Sequence, residues 1–184
     1  QLYGLYLKVG YVRNAKDHLL VKEFFNSRML KDEEKDLGFY ERVYLYQSYV
    51  WYYYMLLDFK MYYRYSQKWV SLFDEYPEMY SSEKPMYLKG RHNQLNALFL
   101  LNRHDKFMEA MHNFLQSLKK NPARNENEKS IEFIYYYTHK INQHYLEGTF
   151  QSGLPLVQDI MVAIKADVYH LDFHRVILFY YKIA

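Results

Sequence analysis

The chain has 184 residues, half of them hydrophobic, with 24 basic against 21 acidic side chains and a net charge of +3. That balance excludes a disordered polyelectrolyte and lacks the concentrated basicity of a dedicated nucleic-acid binder. The absence of cysteine excludes disulfides, thiol catalysis and cysteine-ligated zinc or iron–sulfur centres.

The spacing of apolar residues predicts an all-α chain of nine helices, at about 2–10, 13–30, 37–57, 59–76, 84–102, 105–120, 127–147, 154–166 and 171–184, covering about four-fifths of the residues. The N-terminus, Gln1-Leu2-Tyr3-Gly4, carries neither an initiator Met nor the basic, apolar and small-residue succession of a targeting segment, so cytoplasm is the default location. In the second segment Leu19, Val21, Phe24, Phe25 and Leu30 recur at helical steps, and 31–36 reads as a charged linker. The third holds the longest uncharged stretch, 43–57. Crossing a bilayer takes about 20 apolar residues, so a buried helix is expected there and no membrane partner. Tyr52-Tyr53-Tyr54 and Tyr135-Tyr136-Tyr137 would suit strands, but both lie in apolar segments longer than a typical strand and without a breaker. Each therefore reads as a helix packed on several sides.

Farther on, Phe59, Tyr62, Tyr63, Trp69, Leu72, Phe73 and Tyr76 mark the fourth helix, and 77–85 is a linker bounded by prolines. Phe107, Ala110, Met111, Phe114, Leu115 and Leu118 form a clean stripe, with Asp105 as the expected N-cap and Asn121-Pro122 as the stop. Gly148 marks the next break, and the last residues stop inside an apolar run with no cap. Both ends predict an excerpt from a longer chain.

A pattern recurs just after four of the breaks: a bulky apolar residue, two spacers, then a second packing residue. Val12 to Ala15, Phe59 to Tyr62, Phe107 to Ala110 and Phe150 to Gly153 carry it, and their first members are 47, 48 and 43 residues apart. Such a period predicts helical hairpins at about 1–30, 37–76, 84–120 and 127–166, with a fifth begun at 171. One hairpin cannot bury its apolar face alone, so neighbours must stack. Small residues such as Ala15, Ala110 and Gly153 are expected to let helices approach closely.

In these features the chain resembles the tetratricopeptide repeat (TPR) superfamily. Phe107, Ala110, Phe114 and Pro122 reproduce the aromatic, small residue, second aromatic and closing proline of the family's second helix. Gly148, Phe150 and Gly153 resemble the same signature, as do Gly10, Val12 and Ala15, whereas Tyr62 stands where a small residue belongs. The resemblance implies a right-handed α-α superhelix, a solenoid of about four TPR-like hairpins forming a single domain over 1–184. It also implies a concave groove lined by the first helix of each hairpin. Counting back from each signature aromatic puts Tyr44, Gln47, Trp51 and Tyr54 there, then His92, Phe99 and Arg103, then Tyr135, Thr138 and Asn142.

The remaining chemistry is sparse. His170 and His174 are four apart, the spacing that puts two imidazoles on one helix face, but no Glu follows His170 and no third ligand stands at a diagnostic distance. His139 and His144 read as surface residues. The carboxylate pairs Glu33-Glu34 and Asp74-Glu75 sit in charged segments, and no phosphate loop or nucleophile elbow is present. The expectation is a non-enzyme with no cofactor and no metal. The 23 tyrosines read mainly as amphipathic core filler, with some left to line a groove. The predicted function is a scaffold that takes a protein or peptide segment and not nucleic acid, with self-association through its apolar terminal helices. The alternative is a peptide-sensing regulatory domain of a larger transcriptional or signalling protein.

Overall fold

A computed structural model describes residues 2–27 and 37–184. Of the described residues 81% are helical, and none forms a strand. The expected linker 31–36, with Leu30 and the Glu33-Glu34 pair, lies outside them. The chain forms two compact units, Gln1–Ser82 and Glu83–Ala184.

The first unit holds α1 (Leu2–Val9), α2 (Ala15–Ser27), α3 (Phe39–Met55), α4 (Phe59–Glu75) and the single turn α5 (Met79–Ser82). That turn falls where a plain linker was expected. Helices α3 and α4 pack along their length around Val43, Tyr46, Val50, Tyr62, Trp69 and Phe73, all buried. Arg42, early in α3, pairs with both carboxylate oxygens of Glu75 at the end of α4, at 2.5 and 3.1 Å, so the two helices run antiparallel. Asp58 caps α4 by accepting the Met61 N–H. Leu5 of α1, Val21 of α2 and Met55 of α3 form a smaller apolar cluster. Leu19 and Ala15, expected in packing roles, are exposed instead, because α2 buries only the stripe of Val21 and Phe25.

The second unit holds α6 (Lys84–Leu100), α7 (His104–Lys120), α8 (Glu126–Glu147), α9 (Phe150–Lys165) and α10 (Phe173–Ile183). Helix α6 packs on α7 and α8, and α8 in turn packs on α9 and α10. The α7 stripe of Phe107, Ala110, Met111 and Phe114 is buried, as its periodicity requires. Helix α7 begins earlier than expected, so Asp105 lies inside its first turn and Arg103 takes the N-cap position. Helix α9 starts at Phe150, ahead of the expected start at 154, and runs through Pro155. The helix tolerates the loss of that one N–H.

One turn is written four times. After α3, α6, α8 and α9 a single residue takes positive φ: Leu57, Asn102, Gly148 and Asp167. In each case that residue's N–H reaches the carbonyl three back, and the next N–H reaches the carbonyl five back. After α3 these are Leu57 to Tyr54 and Asp58 to Tyr53; after α6, Asn102 to Phe99 and Arg103 to Leu98; after α8, Gly148 to Tyr145 and Thr149 to His144. Asp167 to Ile164 and Val168 to Ala163 complete the set. This paired closure satisfies carbonyls that a helix end otherwise leaves open.

At the entrance to the second unit Lys84 is buried, and its ammonium donates to the Asn121 carbonyl and to Glu132, with Glu128 at 3.7 Å. Arg124 grips Glu128 through its guanidinium and its backbone N–H. The start of α6, the end of α7 and the start of α8 are tied there by charge.

Candidate functional site

Helix α3 presents a stripe at steps of three and four: Tyr44, Gln47, Trp51 and Tyr54. Tyr44 is 54% exposed, while the other three are half-buried. The two ends of the stripe differ because α1 and the residues after it cover only one of them. The Tyr6 ring lies 5.2 Å from Trp51, and the hydroxyls of Tyr11 and Tyr54 are 2.7 Å apart. Burial first, and then the bond to Tyr11, push the Tyr54 hydroxyl well above its ordinary range, so it stays a neutral donor and acceptor. The open end of the stripe continues to Tyr40, which is also exposed. Stiff amphipathic rings with few rotamers are well suited to holding a bound segment.

In the second unit the expected residues lie more deeply. His92, Tyr135 and Asn142 come together, but Asn142 is 1% exposed and Thr138 2%, so neither reaches solvent. His139, expected at the surface, is fully buried at the centre of this group. It escaped notice because an uncharged polar residue at the helical step of Tyr135, Thr138 and Asn142 looks like any exposed histidine. Phe99 is half-buried, and Arg103 lies exposed at the N-cap of α7.

These buried groups form a chain with a direction. The Lys182 ammonium donates to Asn142 Oδ1 at 2.7 Å, which turns the Asn142 amide nitrogen toward His139 Nδ1, 3.5 Å away. An imidazole that accepts at Nδ1 carries its proton on Nε2. That nitrogen lies 2.9 Å from His92 Nδ1, to which it donates. The His92 ring stacks on Tyr135 with centroids 4.2 Å apart. Lys182 also sits 5.6 Å from the centre of the Phe99 ring. Sequence reasoning missed Lys182, although a lone lysine inside the apolar run of α10 is a signal that something must meet its charge.

Beside Lys182 a cleft of about 160 Å³ opens among α8, α9 and α10, walled by Ile141, Tyr145, Phe150, Leu154 and Val157. Gly153 lets α9 approach α8 here, since a Cβ on it would meet the His144 ring at 3.3 Å. His144, expected at the surface, is half-buried in this wall and bonds Thr149.

The pairing considered for His170 and His174 needs both on one helix. His170 precedes α10, has positive φ and bonds Asp167, while Asp172 caps the helix by accepting the Arg175 N–H. Among the described residues no three His or carboxylate side chains are grouped to hold a metal ion, and no helix is long and apolar enough to cross a membrane.

Comparison with protein-family models, curated proteins and solved structures finds no match to this chain.

Proposed function

We propose that this chain is a TPR-like helical-repeat module, a right-handed solenoid of hairpins, that binds a protein or peptide segment and carries out no reaction on it. The identical turn after α3, α6 and α8 supports the repeat, since a hairpin written several times closes the same way each time. The run of α6, α8 and α10, each packed on the next, supports stacking of first helices. The observation that carries the binding role is the α3 stripe, where exposed Tyr44 and half-buried Gln47 continue into the ordered Trp51–Tyr54 pair. The rings supply contact area, and the Gln47 amide can pair with a peptide backbone.

The test uses Tyr44, because Trp51 and Tyr54 also pack against Tyr6 and Tyr11 and their loss would disturb α1. Peptides selected from a random display library on the wild-type chain are titrated against Tyr44→Ala and Gln47→Ala. A loss of about 2 kcal/mol at Tyr44 in a protein of unchanged helicity is expected, the scale of an aromatic anchor. Binding that ignores both substitutions would move the site off α3.

A further inference from the structure

The geometry points to a second binding site, in the cleft among α8, α9 and α10, for a small apolar carboxylic acid whose carboxylate pairs with Lys182. Three observations meet there. Apart from Lys182 the cleft is lined by apolar, aromatic and neutral side chains and Gly153, with His144 the other ionisable nitrogen base in its wall. Lys182 is the only lysine, arginine or carboxylate residue among them. Its ammonium has one proton on Asn142 Oδ1 and faces the Phe99 ring, and no carboxylate lies within ion-pair distance of it among the described residues.

An ammonium has three protons to donate, so two remain for a ligand oxygen. Burial lowers the affinity of Lys182 for its proton, which is the cost that an anion arriving beside it would offset. The size also selects. A dry apolar cavity of roughly 150 Å³ holds a benzene-sized body, so the ligand is a single ring or a short branched chain with one carboxylate. The Asn142 contact orients the Lys182 side chain, which lines the cleft beside its apolar wall. This site is separate from the α3 stripe and stands or falls without it.

Benzoate is the probe, with toluene as its uncharged counterpart. Both are titrated into the full 184-residue chain while the methyl signals of Ile141, Leu154 and Val157 are followed by NMR. The expected result is that both ligands shift these methyls and that benzoate binds the more tightly. Lys182→Met should weaken benzoate by about tenfold or more, the weight of a charge-assisted hydrogen bond, and leave toluene bound, which also shows that the variant is folded. Val157→Phe, which fills the cleft, should abolish both. Benzoate that binds Lys182→Met as well as wild type overturns the assignment of the carboxylate. Absence of methyl shifts with either ligand overturns the site.

Discussion

His92 and His139 meet nitrogen to nitrogen at 2.9 Å inside the second unit, two imidazoles sharing one proton. Burial first, then the Lys182 and Lys89 ammonium groups, hold His92 down at about 3. Burial, followed by His92 and Lys182, pushes His139 well below its ordinary range. The unfolded chain takes up protons near 6.5 that the folded chain refuses, so this contribution to stability is complete above that pH and falls on acidification. The expected loss approaches about 1.4 kcal/mol per histidine for each pH unit between the unfolded and folded values. Urea midpoints at pH 7 and pH 5 measure it by circular dichroism. The double substitution His92→Phe, His139→Leu should flatten the slope, and an unchanged slope would place the acid sensitivity elsewhere.

Removing the charge of Lys84 takes the buried cation away from Glu132 and the Asn121 carbonyl, leaves buried Glu128 to Arg124 alone, and unties the junction of α6, α7 and α8. Lys84→Met is expected to cost about 3–5 kcal/mol, the range for breaking a buried pair from one side. Glu128 adds a pH signature. The hydrogen bond from Arg124 holds its carboxyl below the usual range, so its share of stability is present above the unfolded value and disappears as pH falls through the lowered one. In Glu128→Gln that acid limb should be missing from the denaturation profile.

The repeated turn makes opposite forecasts at two of its four sites. Leu57 holds φ 58° with a side chain nearly half exposed, so Leu57→Gly relieves backbone strain and gives up little burial. A gain of about 1 kcal/mol is expected. Gly148 holds φ 65° in open space, so Gly148→Ala should cost about as much through strain alone. Melting temperatures of the two variants moving in the same direction would refute the account.

Thr138 is buried, and its hydroxyl oxygen has no hydrogen-bond partner among the described residues. Valine has nearly the same shape and no oxygen to strip of water. Thr138→Val is expected to stabilise the chain by about 1 kcal/mol, read as a higher melting temperature. A drop instead would mean that the hydroxyl has a bridging partner such as water.

The helices were legible because their packing faces recur at the helical step, as along Phe107, Ala110, Met111 and Phe114. Their ends were less so. Pro155 is a residue that normally stands in the first turn of a helix, yet the turn at Gly148 sets the entry, and α9 absorbs the proline instead. Placement of side chains depended on which neighbour covers them. Tyr44 and Asn142 were assigned to the same kind of surface by one counting rule, and one is exposed while the other lies at the centre of a unit. That difference arises from α1 leaving the start of α3 open and from α6 and α10 closing over α8, contacts that join residues tens of positions apart. Lys182 and His139 were overlooked for the same reason: their partners are on other helices.

Both tryptophans, Trp51 and Trp69, belong to the first unit, while tyrosines occur in both. The chain therefore carries a built-in optical label on one unit only. Emission excited at the red edge of the absorption band follows α3 and α4, whereas the peptide signal follows every helix. Melting curves that superimpose by the two probes describe one cooperative transition, and curves that part company resolve the order in which the units come undone, with no dye or mutation introduced.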